Sequence, residues 1–357
     1  MKKNRNRLLA AGLICLLGLA LSIPAMAGPI RAEGELRLIS YNIAGLPIPS
    51  IFNADRRSPW KNGAEIGRQV GAAGYDLVAV QEDFSNYSRF KKALDYPYFS
   101  YHKGNIPAGD GLDFFSKRPI YNFTRVTWAQ RYGGFTYGGT DEYTPKGFSH
   151  AVMELAPGVY LDIYDLHANA SGSEERGLTV RPSAVARRAQ FEQLSAYIQA
   201  HSQGRALVIL GDFNARLRQP ADGMYEVLLA PNGIRDTWAE TFNGGKEQFD
   251  DGAWPTGDQG ERVDRILYRG GEALELTLVE SAGVRWKDAE GRNLSDHEFS
   301  WTAALRYVYN GEPETRDDLR APEPIPFFTK AWDYITNFFR DLGLLVKEIP
   351  AMLGLKK

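Results

Sequence analysis

Val208-Ile209-Leu210-Gly211-Asp212-Phe213-Asn214 is an apolar run that stops at a glycine and then delivers two polar side chains one residue apart. Residues 206–210 form the most apolar strand pattern in the chain. Period-two geometry places Asp212 and Asn214 on one side of that strand's end. A carboxylate and a carboxamide projecting together can position a nucleophilic water and hold a phosphate oxygen. A turn closed by an Asx hydrogen bond accounts for the pair nearly as well, so the surroundings must decide.

Outward from this stretch, short strand-type runs alternate with longer helical patterns. Strands are predicted at 36–43, 77–81, 114–116, 120–128, 149–155, 160–166, 262–268, 274–280 and 298–305. The pair 149–155 and 160–166 turns through Ala156-Pro157-Gly158. Helices are predicted at 63–73 and 181–200, the second with Val185, Ala189, Leu194 and Ile198 near one face and arginines elsewhere. The mixture predicts an α/β (α+β) architecture with sheets packed on each other and helices outside. No stretch repeats at the spacing of a solenoid, so one domain is the simplest organisation. Residues 104–111, 132–145 and 243–260, rich in glycine and polar side chains, are expected as loops around a site mouth.

Other strand ends carry polar groups of the same kind. Asn42 closes the first strand and Glu82 follows the apolar run Ala79-Val80-Gln81; both are oxygen ligands that suit Mg²⁺ or Ca²⁺ better than zinc. His167 ends the run Tyr164-Asp165-Leu166, where a positively charged donor can stabilise phosphate charge. Ser295-Asp296-His297 sets a histidine beside an aspartate, a combination suited to a general base. Asp264, inside the apolar run Arg262-Val263-Asp264-Arg265-Ile266-Leu267, needs a partner for its charge, and a histidine is the natural one.

Each signal alone is weak; their order along the chain is specific. From about Leu36 to Arg306 the sequence resembles the endonuclease/exonuclease/phosphatase superfamily, which includes pancreatic-type deoxyribonucleases and neutral sphingomyelinases. The resemblance implies a four-layered α/β/β/α sandwich of two packed mixed sheets, with the site at one edge. It implies that Asn42, Glu82 and Asp296 hold a divalent metal, Mg²⁺ or another such as Mn²⁺ or Ca²⁺. It assigns catalysis to His167, Asp212, Asn214, Asp264, Asp296 and His297, with His297 as base for in-line attack of water on phosphorus. His167 and Asn214 then hold phosphoryl oxygens, Asp212 orients the water or a histidine, and either histidine is open as the acid at the leaving group.

Within that superfamily the chain is similar to the sphingomyelinase branch. The segment Gly111-Leu112-Asp113-Phe114-Phe115-Ser116-Lys117-Arg118-Pro119-Ile120, the Lys146-Gly147 pair and His167-Ala168-Asn169-Ala170 carry the likeness. It implies a phospholipid such as sphingomyelin as substrate, with Lys146 and Asn214 on its phosphate; a lysine in a loop is otherwise an ordinary solvated one. Two other readings stand beside it. A secreted DNase-like endonuclease would use the same set and add groove-facing arginines, for which Arg176, Arg181, Arg187 and Arg188 are available. A catalytically idle relative binding lipid or protein would have lost part of the set, and here all of it is present.

The two ends of the chain read differently. Residues 1–27 carry Lys2, Lys3, Arg5 and Arg7, then an apolar run from Leu8, then Ala25-Met26-Ala27, the pattern of a secretory signal cleaved after Ala27; an uncleaved anchor is the alternative. The only cysteine, Cys15, lies inside that segment, with Ile14 too bulky for lipoprotein processing. The destination expected is the periplasm or the medium. Losing those four cations and no anion moves the formal net charge from −2 to −6, which argues against an electrostatic duplex clamp. With 43% hydrophobic and 24% charged residues, the chain is an ordinary globular one, which excludes disorder as a default. Residues 28–320 are expected as the catalytic domain, monomeric and without an evident protein partner. Residues 321–357 form a proline-led tail, with Pro322, Pro324 and Pro326 before a C-terminal amphipathic helix rich in aromatics. That helix is read either as docking back on the domain or as a surface for lipid or a partner. For membrane entry, Phe249 and Trp254 of the loop 243–260 are the alternative to it.

Overall fold

In a computed structural model the chain is described over residues 31–354, apart from 47–58, 135, 137–140, 173–174, 176–177, 179–180, 216–221 and 246–262. The expected signal at 1–27, Arg176, Phe249 and Trp254 lie outside the described residues. In chain order the elements are β1 (Ala32–Asn42), α1 (Pro59–Ala73), β2 (Leu77–Gln81), α2 (Tyr87–Leu94), β3 (Tyr98–Phe99) and β4 (Asp113–Ser116). There follow β5 (Ile120–Thr127), β6 (Gly147–Ala156), β7 (Val159–His167), α3 (Pro182–His201), β8 (Leu207–Asp212), a π-helical turn (Tyr225–Leu229) running into a short helical turn (Ala230–Asn232), β9 (Arg235–Asp236) and α4 (Thr237–Phe242). The last are β10 (Asp264–Arg269), β11 (Leu274–Val284), β12 (Ser300–Tyr309) and α5 (Phe327–Met352).

The strands form two six-stranded sheets, ordered β11-β12-β1-β2-β4-β3 and β5-β6-β7-β8-β10-β9. Alternation along the strands sorts apolar side chains into layers. Val208 and Leu210 join Leu36, Leu38, Leu77, Ala79, Met153, Leu161, Ile163 and Ile266 in a core between the sheets. Leu207 and Ile209, one residue out of phase, face the other way and meet Phe191, Leu194 and Ile198 of α3. On the far side of the first sheet, Ile39, Val78 and Val80 pack on Ile66 and Val70 of α1 and Phe90 and Leu94 of α2. The result is the predicted α/β/β/α sandwich.

In each sheet one pair runs parallel: β1 with β2, registering Asn42 on Gln81, and β7 with β8, registering His167 on Asp212. Parallel partners send their carboxyl ends to the same edge, so Asn42, the residue after Gln81, His167 and Asp212 emerge together. The antiparallel β10 begins there, with Asp264 opposite Asp212. Near that edge Gln81 Nε2 donates to Asp165 Oδ1 across the sheets at 2.6 Å, both residues fully buried.

Two sequence expectations need correction. The buried face of α3 consists of Ser183, Ala184, Ala186, Arg187, Gln190, Phe191, Leu194, Ser195 and Ile198, while Val185 is 54% exposed. Polar Arg187 and Gln190 face inward because both hold the loop after His167: Arg187 donates to Asn169 O at 2.8 Å, and Gln190 Oε1 accepts from Asn169 N at 2.9 Å. The second concerns the strand end. β8 stops at Asp212, and Asn214 has a left-handed backbone with φ 48°, so period-two facing does not extend to it. The short α2, α4, β3 and β9 carry too few residues to show a period in sequence.

Leu210→Ala deletes the three side-chain carbons beyond Cβ from the fully buried core between the sheets. The substitution is expected to cost about 2–5 kcal/mol of stability, read from the urea midpoint; a loss under about 1 kcal/mol would contradict the packing described.

Candidate active site

Asp212 is the centre of the edge. It is 1% exposed, and its Oδ2 lies 3.1 Å from Asn42 Nδ2, 3.2 Å from His167 Nε2 and 3.5 Å from His297 Nε2. Its Oδ1 accepts the amide hydrogen of Asn214 at 3.0 Å, an Asx turn that ends the strand. The turn and the functional reading therefore hold at once. Burial alone would raise the Asp212 carboxyl. The charge of His297 and the hydrogen bond and charge of His167, with Lys146 further out, instead hold it well below the usual carboxylate range.

His297 is oriented from its other side. Its Nδ1 is 2.6 Å from Asp264 Oδ2, the partner expected for that buried aspartate, and its amide donates to Ser295 Oγ at 3.1 Å. Ser295 Oγ in turn donates to Asn42 O at 2.7 Å, tying the His297 loop to the end of β1. Burial opposes the charged imidazole, but Asp264 and Asp212 outweigh it and push His297 well above the ordinary histidine value. Asp264 itself is raised, by burial first, against the opposing charge of His297. Asp296 is exposed beside His297, and its charge adds to the same upward push.

Glu82 sits just past β2 with φ 57°, a conformation costing a non-glycine residue of order 1–3 kcal/mol. Its backbone is held there because its carbonyl accepts from Gly45 N at 3.0 Å and Phe84 N at 2.9 Å. The side chain reaches Asn42 Nδ2 through Oε1 at 3.1 Å. Glu82, His167 and Lys146 line one pocket with Leu46, Phe84, Tyr132 and Asp141. Lys146 is not a solvated loop lysine: it is 7% exposed and ion-paired with Asp141. Asn214 Nδ2 donates to Ala168 O at 3.1 Å, leaving the second amide hydrogen for another acceptor.

The described residues thus bring together Asn42, Glu82, His167, Asp212, Asp264 and His297, with Lys146 in the adjoining pocket. Glu82 offers a partly exposed carboxylate, which fits a hard divalent cation, whereas Asn42 turns its Nδ2 to Glu82 and Asp212 and its Oδ1 accepts from Ala44 N at 3.0 Å, so its amide must turn over to serve as an oxygen ligand. Asp212, Asp264 and His297 also lie close enough together to hold an ion: His297 Nδ1 is 2.6 Å from Asp264 Oδ2 and its Nε2 3.5 Å from Asp212 Oδ2, and Asp264 Oδ1 has no hydrogen-bond partner among the described residues. In a second close group, Asp83, His102 and Asp113, Asp113 pairs with His102 at 2.8 Å and with Arg125 at 2.9 Å, while both carboxylate oxygens of buried Asp83 have no hydrogen-bond partner among the described residues. The Arg125 guanidinium, which also pairs with Asp110 at 2.5 Å, balances the charge of Asp110 and Asp113.

Sequence reasoning missed Asp141, which pairs Lys146 and accepts from Ala170 N at 2.6 Å. No local pattern around Asp141 marks it in sequence, since the need for an anion arises only from the burial of Lys146. It also missed the role of Arg187, which is fully buried and bonded to Asn169, Ser171 and Asp222. Arg188, another candidate for gripping nucleic acid, pairs with Glu192 and Glu226.

Two packed mixed sheets with a metal-suited carboxylate, two histidines and buried aspartates at one edge define a class of phosphoester hydrolase. The sequence model of the endonuclease/exonuclease/phosphatase family matches residues 39–297, and the chain belongs to that family. Curated sphingomyelinases of Mycobacterium bovis and Mycobacterium tuberculosis are 29% identical over 276 residues, covering 74% of this chain and 51% of theirs. The chain spans about half the length of these relatives. Among solved structures, D. rerio TDP2 complexed with a single-strand DNA product is 18% identical at a TM-score of 0.54, covering 76% of this chain and 99% of that one. A mutant beta toxin from Staphylococcus aureus with bound magnesium ions is 18% identical at 0.50, covering 77% and 100%. Both likenesses show the same fold.

In the metal-free protein the His297 imidazole, followed by NMR, is expected to titrate above the ordinary value of 6.5. Its raised value means that this contribution to stability is complete below about pH 6.5 and is lost as pH rises through the folded-state value. Asp264→Asn is expected to move the titration down; an unchanged titration would mean that Asp264 does not set it.

Proposed function

We propose that the chain is an exported, divalent-metal-dependent phosphodiesterase that hydrolyses a phospholipid such as sphingomyelin. The observation carrying this reading is Lys146, buried in the pocket that Glu82 and His167 also line. A lysine kept there beside a carboxylate and a histidine suits the charge of a phosphate diester. The mycobacterial relatives described as sphingomyelinases favour a lipid, as does the use of Arg187 and Arg188 within the protein rather than on a nucleic-acid groove.

In the neutral ring, with Asp264 accepting from Nδ1–H, the lone pair of His297 lies on Nε2, the atom that takes the proton of an attacking water; the raised value of His297 means that this form gains as pH rises. Asp212 keeps Nε2 of His297 and of His167 turned toward one point. His167, Lys146 and the second amide hydrogen of Asn214 then hold the phosphoryl oxygens. Glu82 and Asn42, with the exposed Asp296, would hold the cation, for which the magnesium-bound beta toxin suggests Mg²⁺. When bound, that cation neutralises charge developing on the phosphoryl group. A nuclease reading draws on the DNA product in the TDP2 neighbour, and the same residues would serve it. Export rests on the signal pattern of residues 1–27.

The test is phosphate-ester release by the purified protein from sphingomyelin and phosphatidylcholine vesicles, beside plasmid DNA, with Mg²⁺ or chelator. Metal-dependent phosphocholine release with intact plasmid is the expected result; nicked plasmid and untouched vesicles would make it a nuclease. Glu82→Ala and His297→Ala are each expected to lower turnover by about 10²–10⁴-fold with the unfolding transition retained. Full activity of Glu82→Ala at low Mg²⁺ would remove the metal assignment.

A further inference from the structure

The helix α5 is docked with its polar side toward the domain. None of its residues is buried, and Phe328, Trp332 and Phe339 are 84%, 66% and 64% exposed. Phe328, Trp332, Ile335, Phe339, Leu342, Val346 and Ile349 follow at alternating steps of four and three, which puts them on one stripe. Contacts with the domain come from charged residues instead. Glu348 Oε1 accepts from Tyr143 OH at 2.7 Å, and its Oε2 accepts from Thr136 N at 3.1 Å and Thr136 Oγ1 at 3.3 Å. Arg340 Nη2 donates to Tyr143 O at 3.4 Å. These partners belong to the loop that supplies Tyr132, Gly133, Asp141 and Thr144 to the pocket of Glu82 and His167. Near the start of the helix, Lys330 abuts Gly104, in the other loop at that end.

An amphipathic helix that merely completed a core would turn its apolar stripe inward. Here the stripe faces away while the polar side is fixed to the rim of the site, so the occupant of the stripe lies outside the protein and next to the pocket. We propose that α5 is an interfacial helix that lies in the headgroup region of a phosphocholine lipid surface and sets the pocket against it. Aromatic and aliphatic residues share the stripe, as at a membrane interface, where ring faces take the boundary between acyl chains and water. No described helix is long and apolar enough to cross a membrane, so α5 lies on the surface rather than spanning it. The tail from Phe327 onward carries Lys330, Arg340, Lys347, Lys356 and Lys357 against Asp333, Asp341 and Glu348, an excess of two cations in a chain of net charge −2. Against zwitterionic phosphocholine headgroups so small an excess neither attracts nor repels strongly, and the apolar stripe supplies the binding. The purpose of this seating rests on the phospholipid reading above, whereas the binding is measured without turnover.

The experiment uses the full chain and vesicles of sphingomyelin and phosphatidylcholine, with co-sedimentation in chelator for binding and phosphocholine release in Mg²⁺ for turnover. Trp332→Asp/Phe339→Asp is expected to weaken vesicle binding by about tenfold or more and to lower turnover on vesicles. Turnover on the same lipid dispersed in detergent stays within about twofold, since these exposed residues touch no group of the site. Glu348→Ala, which frees the helix from the rim, is expected to keep vesicle binding and lose vesicle turnover. Unchanged vesicle binding by the double variant overturns the proposal. So does a wild-type dimer that fails to bind vesicles and is dispersed to monomer by the double variant, which would assign the stripe to a second copy. Vesicle binding by wild type with no turnover on any lipid leaves the interfacial helix standing and overturns the phospholipase reading alone.

Discussion

Three side chains share one oxygen of Asp212. Asn42, His167 and His297 come from β1, from β7 and from the loop before β12, and they meet only because Asp212 Oδ2 lies within 3.5 Å of each. A carboxylate buried this deeply is costly unless it is matched by donors, and it is kept ionised by the histidines that it orients. The interaction therefore works in both directions: the histidines stabilise the anion, and the anion fixes where their ring nitrogens point.

The fold makes that meeting possible through two parallel pairs. β1 with β2 and β7 with β8 each bring two carboxyl ends to one edge, and the packing of the sheets through Leu36, Leu38, Val208 and Leu210 brings the edges together. Shifting either register by one residue would send the functional side chain into the wrong layer, since inner and outer faces alternate. The buried Gln81–Asp165 hydrogen bond fixes the two sheets to each other close to this edge. Around the centre, Arg125 pairs with buried Asp113 and Arg187 with buried Asp222, and Arg187 also holds the loop that carries Asn169.

Much of this was legible in the sequence because it depends on local pattern. The apolar run 206–210, the turn Ala156-Pro157-Gly158 and the strand-end positions of Asn42, His167 and Asp212 follow from period and punctuation. The need of Asp264 for a partner followed from its place in an apolar strand, and His297 fills it. What stayed hidden depends on contacts between distant segments. Arg187 sits on the inner face of α3 because Asn169 and Asp222, far along the chain, accept its hydrogens, and no spacing rule encodes that. The orientation of α5 was also undecidable from its stripe, because the same pattern serves a docked helix and an outward-facing one; the Glu348 contacts to Tyr143 and Thr136 decide it.

The most direct test of this account is Asp212→Asn, which keeps the shape of the side chain while removing the charge that both histidines face. Turnover on a phosphodiester with Mg²⁺ is predicted to fall by about a thousandfold or more, with unfolding still cooperative, because the residues of the site act as one unit. Turnover within about tenfold of wild type in a folded Asp212→Asn protein would contradict the account, since a centre that tolerates a neutral amide does not organise the edge.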